Sequence, residues 1–310
     1  MKNNEETIVV FGEALVDDFI SEQVVGGAPF NVARNLAALG ALPLMITRLG
    51  NDDSGVKVGA EFTRFGMSQA GLQIDAERPS GRVVVERSAD GHRFIILPDQ
   101  AYDYIEAGPA LAAVAAVNPA LLYFGTLAQR NPRSRDSLDQ LFDACACRRY
   151  LDLNLRDGQV DERGVFDSLH QADILKVNED ELQHLFNWYT PECTGTQAIG
   201  GADWVVACDH LMRIFSLEEL IVTLGERGSM YFGAGGIRIA THDSGAAAHF
   251  VDTVGAGDAF SAVFLFGRLR QWPLALTLQR ANAFAAAICG IAGAVPQDDA
   301  FYPSWLARWL

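Results

Sequence analysis

Two periodicities alternate along the first part of this chain, and that alternation restricts the fold more than any other feature. Residues 7–15 form a β-branched apolar run of strand length. Then Pro29 opens a helix whose apolar face is Val32, Leu36 and Leu39 and whose end is Gly40. Residues 42–49 read as another strand and residues 54–65 as a helix striped by Val58, Phe62 and Phe65. Strand followed by helix, repeated, predicts an α/β fold with a mainly parallel central sheet flanked by helices on both faces. The pattern resumes after Glu106. Helices are expected at 109–117, 134–145 and from Asn178 to Phe186, and strands at 121–125, 150–153, 173–177, 220–224 and 230–232. Residues 196–215 read as a further helix, and alanine-rich helices are expected at 273–293 and 303–310. A chain of 310 residues, 49% hydrophobic, can bury this as one large domain over 1–310.

One segment breaks the alternation. Residues 81–88 and 92–97 are short β-rich runs joined by Ala89, Asp90 and Gly91, a hairpin signal without a helix nearby. With residues 19–25 they can form a small β-sheet, a lid built from about 16–25 and 80–104 that excludes water from a site beneath it.

Two glycine-bearing helix starts carry the candidate chemistry. In residues 252–260 the sequence Asp-Thr-Val-Gly-Ala-Gly-Asp-Ala-Phe places Gly255, Ala256 and Gly257 at a turn entering a helix, where unpaired backbone N–H groups and the dipole favour an anion. Asp258 beside them makes sense as a base that takes a proton from a hydroxyl attacking that anion. The bland alternative is an ordinary Gly-rich turn. Gly26 and Gly27 precede the other helix and let a ligand meet backbone. Asn31 in its first turn is either a solvated or capping residue or a group facing the same cleft. Arg156 follows a strand end, where it can clamp an oxygen or a phosphate. Asn178 and Glu181 share a helix face and suit either Mg²⁺ held directly or through its waters, or a capping box. Lys176 beside them can balance their charge. The turn at 225–228 can pass under a nucleotide or be a plain tight turn, and Asn282 can face a purine or solvent.

A net charge of −15 leaves no basic stripe for nucleic acid or an anionic membrane. The lysines are Lys2, Lys57 and Lys176, and no Walker sequence occurs, so a bound phosphate must be held by backbone dipoles, arginine and metal. Five cysteines, with Cys145 and Cys147 too close for ordinary bridging, fit a reducing compartment. The polar, acidic start shows no secretory signal, and no apolar stretch is long enough to span a bilayer, so a cytoplasmic location is expected. The first strand leads into Gly12-Glu13-Ala14 and not a dinucleotide fingerprint, which weighs against a dehydrogenase.

The segments GGAPFNVA (26–33) and DTVGAGDAF (252–260) resemble the two signatures of the ribokinase-like (PfkB) carbohydrate kinases, in the right order and separation. FGEALVD near the start, YFGTLAQR (123–130), DLNLR, KVNEDEL (176–182) and VTLGERGS (222–229) extend the resemblance over essentially the whole chain. FGEALVD with GGAPFNVA looks most like the fructokinase branch. The resemblance implies an ATP-dependent kinase that phosphorylates a primary hydroxyl of a small sugar, first among them fructose at its 6-hydroxyl. Ribose, 2-keto-3-deoxygluconate, a nucleoside or another polyol are the enzymatic alternatives; a catalytically idle sugar- or nucleotide-binding regulator is the alternative of a different class. It implies Asp258 as catalytic base and the 255–258 backbone as anion hole. Asp17, Gly27 and Asn31 would hold sugar hydroxyls. Asn178 and Glu181 would order magnesium and phosphate. Thr223, Gly225 and Gly228 would border the nucleotide, with Asn282 near adenine. Asp252 and the loop near Gly293 correspond to a monovalent-cation position, usually potassium. A homodimer through the lid is a further implication. Arg93, Phe94, Asp99 and Tyr102 are the lid's candidate sugar neighbours.

Overall fold

The computed structural model describes residues 6–19, 22–88, 91–191, 201–241 and 250–309, and in it the run at 7–15 serves two sheets rather than one. β1 (Glu6–Phe11) ends at Gly12, and β2 (Leu15–Asp18) belongs to the small sheet. Apolarity persists through the break because Ala14, Leu15 and Val16 are buried as deeply as β1, so the hydrophobic pattern carried no sign of it.

In chain order there follow β3 (Gln23–Gly26), α1 (Ala28–Ala38), β4 (Leu44–Gly50), α2 (Asp53–Arg64), β5 (Leu72–Asp75), β6 (Gly81–Ser88) and β7 (Gly91–Ile96). Then come α3 (Ala107–Ala115), β8 (Asn118–Phe124), α4 (Pro132–Ala144), β9 (Arg148–Asp152), α5 (Glu162–Gln171), β10 (Ile174–Asn178) and α6 (Glu179–Tyr189). The last are α7 (Ala202–Phe215), β11 (Glu219–Thr223), β12 (Ser229–Gly233), β13 (Ile237–Thr241), α8 (Ala256–Leu269), α9 (Leu274–Ile288) and α10 (Phe301–Trp309). Among the described residues the large sheet runs β13-β12-β11-β10-β9-β8-β1-β4-β5, parallel from β5 to β11, with β12 and β13 antiparallel at one edge. The small sheet runs β3-β2-β6-β7. A mainly parallel sheet and a small separate one match the expected fold class.

Successive residues of β1 point to opposite faces, and each face has its own core. Val9 and Phe11 join the core made with α3 to α7, while Ile8 and Val10 join the one made with α1, α2 and α8 to α10. Near-continuous burial along β1, β4 and β10 is what a sheet covered on both sides requires.

Three elements have weaker sequence signals than those predicted. β5 and β13 are edge strands of four and five residues. α5 is announced only by Asp161, whose carboxylate accepts from the Gly164 amide, and by Val165 and Leu169 four apart. The expected helix 273–293 is shorter, because α9 stops at Ile288 and the chain turns through Gly290 and Gly293, the latter at φ +78°. The helix expected from 196 begins at Ala202 within the described residues. No helix among them is long and apolar enough to cross a membrane.

α10 holds α9 in place through rings. Phe284 lies 5.6 Å from Phe301, 5.5 Å from Trp305 and 5.9 Å from Trp309, centroid to centroid. Because Phe284 is fully buried, Phe284→Ala is expected to cost about 3–5 kcal/mol, read as a lowered urea midpoint at an unchanged slope.

Candidate active site

The chain leaves β1 in two directions, to β4 and β5 on one side and β8 to β11 on the other. At such a reversal the crossover helices diverge and leave a crevice at the carboxyl ends of the strands. Residues at those ends line a single cavity of about 1100 Å³: Glu13 beyond β1, Asn154 and Arg156 beyond β9, Asn178 ending β10 and Thr223 ending β11. The small sheet supplies Leu15, Asp17, Val83, Ile95 and Ile96 to the same wall. α1 and α8, side by side on one face, bring Gly27, Asn31 and Gly255 to Asp258 there by their N-terminal turns.

Gly255 makes the entry to α8 possible. Its φ is +76°, and a Cβ on it would overlap the Cα and Cβ of Ala294, so only glycine fits. The Ala256 amide donates to Thr253 O at 3.2 Å, which removes it from the three-residue anion hole expected. The amides of Gly257 and Asp258 have no backbone partner among the described residues and remain available to an anion.

Asp258 Oδ2 accepts from Asn31 Nδ2 at 2.7 Å. Its carboxyl is pushed up to about 6, chiefly by burial; the Asn31 bond, Lys176 and Arg156 pull it down and Asp152 pushes it up. Asp17 is raised to about 6 by burial, against the pull of Arg156 and Arg34. Glu13, only 3% exposed, is raised to about 7 for the same first reason, and its Oε2 has no hydrogen-bond partner among the described residues.

Under α8 lies a buried charge pair. Lys176 Nζ is 3.0 Å from Asp152 Oδ1, and Asp152 Oδ2 accepts from Ser261 Oγ at 2.7 Å. Burial pulls the Lys176 ammonium down, but Asp152, Glu181 and Asp258 outweigh it and hold the group above the usual lysine value. The ammonium lies 2.9 Å from where a Cβ on Gly257 would stand, so a positive charge backs the free amides.

Asn178 and Glu181 form the capping box: Asn178 Oδ1 accepts from the Glu181 amide at 2.9 Å and Glu181 Oε2 from the Asn178 amide at 2.8 Å. Glu181 Oε1 accepts from the Leu155 amide at 2.8 Å. Both carboxylate oxygens are therefore engaged with backbone. Among the described residues no group of three or more His, Cys, Asp or Glu is arranged to hold a metal. Gly225, Gly228 and Thr223 border the cavity, as does Asn282. Asn282 is 8% exposed and donates to Ser229 Oγ and Thr241 Oγ1, which excludes the solvent-facing reading.

Several expected residues lie elsewhere. Gly26 is paired within the small sheet and abuts Asp17 Oδ2 instead of lining the cavity. Asp252 also stays off the wall, its Oδ1 accepting from the Val254 amide, although Val251 N to Cys289 O at 2.8 Å brings this turn beside the end of α9. Tyr102 is fully buried in the main core, and Asp99 bonds Tyr104 and Arg78 at the surface, so neither faces the cleft. Arg93 and Phe94 have side chains outside the described set. Glu13, Ile95 and Ile96 line the site without having been expected there. A carboxylate inside an apolar run was the available signal for Glu13.

The family model described as "pfkB family carbohydrate kinase" matches residues 6–299. The chain is similar to Fructokinase-1 of Oryza sativa subsp. japonica, at 28% identity over 96% of this chain and 95% of that protein. It is also similar to the ATP-dependent 6-phosphofructokinase of Thermoanaerobacterium thermosaccharolyticum, at 27% identity over 93% and 89%. The fold resembles that of the fructokinase from Xylella fastidiosa solved with bound ATP, with TM-score 0.81, 19% identity and 98% of each chain covered.

Removing one half of the buried charge pair leaves the other uncompensated. Lys176→Met is therefore expected to cost about 3–5 kcal/mol. Adding Asp152→Asn to it should recover part of that loss in a double-mutant cycle followed by urea denaturation.

Proposed function

Because the chain belongs to the pfkB family of carbohydrate kinases, a phosphotransferase acting on a sugar hydroxyl, we propose that it transfers the γ-phosphate of ATP to a primary hydroxyl of a small neutral sugar, fructose giving fructose 6-phosphate. The observation that carries this reading is Asp258: a carboxyl raised to about 6 stands one residue beyond Gly257, in the same turn as amides that have no backbone partner among the described residues. A base and an anion site so close suit in-line transfer, in which positioning and electrostatics do most of the catalysis. The acceptor hydroxyl gives its proton to Asp258, its oxygen bonds to the γ-phosphorus, and the bond from that phosphorus to the β,γ-bridging oxygen breaks to release ADP. The Gly257 and Asp258 amides, backed by Lys176, would take up the charge on the phosphoryl oxygens.

In this reading Glu13, Asp17, Gly27, Asn31 and Arg156 form the acceptor half. Thr223, Gly225, Gly228 and Asn282 border the nucleotide. The Asn178–Glu181 pair fits a hydrated Mg²⁺ held through its waters, since its own oxygens are engaged by amides; the ion would neutralise charge on the phosphates. Asp252 beside the end of α9 is the corresponding place for potassium.

Charge favours a neutral acceptor. Glu13, Asp17 and Asp258 interact electrostatically there, with Arg156 the cation that bears on all three. An acceptor bringing its own phosphate or carboxylate would meet that cluster, which weighs against a phosphofructokinase activity and against 2-keto-3-deoxygluconate. The similarity to plant fructokinase supports fructose over ribose.

An ADP-release assay across neutral sugars, nucleosides, sugar acids and sugar phosphates tests the assignment, with NMR to identify the phosphorylated carbon. Fructose should lead, and an anionic acceptor in first place would overturn the charge argument. Asp258→Asn should lower kcat by about 10²- to 10⁴-fold. The base works only when ionised, so kcat/KM should fall as pH drops through about 6 and level off above it; a flat profile between pH 5 and 8 would contradict Asp258 as the base.

A further inference from the structure

Arg34 stands one turn beyond Asn31 on α1 and is 3% exposed. Its Nη2 donates to Asn31 Oδ1 at 2.5 Å and to Val25 O of β3 at 2.9 Å, and its Nη1 pairs with Glu61 Oε2 of α2 at 2.7 Å. A guanidinium has donors only, so the amide oxygen of Asn31 must face Arg34 and the amide nitrogen must face away from it. That nitrogen donates to Asp258 Oδ2 at 2.7 Å. Donation thus runs from Arg34 through Asn31 to Asp258, and Arg34 is itself anchored by donating to Glu61 of α2 and to Val25 O of the small sheet.

We infer that Arg34 is a positioning residue for the phosphoryl-transfer base: by clamping the Asn31 amide in one orientation it fixes the aim of Asp258 and keeps the ionised carboxylate bonded. The inference rests on the reading of Asp258 as base. Without Arg34 the amide of Asn31 is free to turn, and in the flipped state its oxygen faces a carboxylate and repels it. Asn31 on α1 is the hydrogen-bond donor that favours the charged form of Asp258. Lys176 of β10 and Arg156 beyond β9 also favour it, while burial, Asp152 of β9 and the charges of Glu13 and Asp17 oppose it. Loss of the Asn31 bond therefore moves the Asp258 titration upward.

Arg34→Gln and Arg34→Lys in the full chain test this. The Asp258 carboxyl is titrated by ¹³C NMR without substrates, and kcat, KM and the pH profile are measured with fructose and Mg-ATP. In Arg34→Gln the Asp258 titration and the acid limb of kcat should both move to higher pH. Its kcat should fall about 10-fold or more with KM changed less than about 3-fold. Arg34→Lys keeps a charge for Glu61 but loses the fork, so it should fall between the two; if Arg34→Gln does not fold, it carries the test alone. A folded variant with an unmoved Asp258 titration overturns the inference, whatever its activity, because a merely structural arginine would lower stability without touching that carboxyl. Asp258→Asn separates the two readings: if it retains turnover, the base assignment fails; if it is inactive while the Arg34 variants titrate like the wild type, only the role of Arg34 fails.

Discussion

One hydrogen bond joins the two glycine-bearing helix starts that line the cavity, the 2.7 Å contact between Asn31 and Asp258 across 227 residues of chain. It exists only because α1 and α8 pack side by side on one face of the sheet, with both N-termini at the edge where the parallel strands end. Parallel strands place all their carboxyl ends on that edge; α1 reaches it by way of the small sheet and α8 from the chain beyond β13. The N–H groups of those helix starts are unsatisfied by their own helices. The cleft is therefore lined with backbone donors before any side chain is considered.

A chain carrying a net charge of −15 must still receive phosphate. The fold resolves this locally. Lys176, one of three lysines, is buried under α8 with Asp152 as counter-ion, and its field reaches the amides of the α8 entry from the cavity wall. Burial then raises Glu13, Asp17 and Asp258. Each has a folded pKa above the ordinary carboxylate value, so the stability it contributes is present at acid pH and is lost as pH rises through about 6 to 7. Near neutrality these buried carboxyls destabilise the fold, and perturbation of this kind gathers where carboxyls exchange protons.

How much of this was legible follows from which signals are local. The βαβα pattern, the two glycine-bearing helix starts and the hairpin at 81–97 were readable because periodicity, Pro29 and Gly255 act within a few residues. The capping box at Asn178 and Glu181 was readable for the same reason. The division of residues 7–15 between two sheets was not, since both parts are equally buried and the break lies in the backbone at Gly12. Tyr102 lies close in sequence to the β6–β7 hairpin yet packs in the core shared with α3 to α7, because the turn after β7 returns the chain there.

By itself the sequence determined the fold class, the base candidate and the family resemblance, all of which depend on residue type at short spacing. Tertiary structure alone decided which groups meet. It set Lys176 against Asp152 and beneath Gly257, took Gly26 and Asp252 off the cavity wall, drew Glu13 into it, and tied Arg34 through Asn31 to Asp258. The physical reason is common to all of these. Charge interactions and hydrogen bonds fall off within a few ångströms, and separation along the chain says nothing about ångströms until the sheet has been assembled.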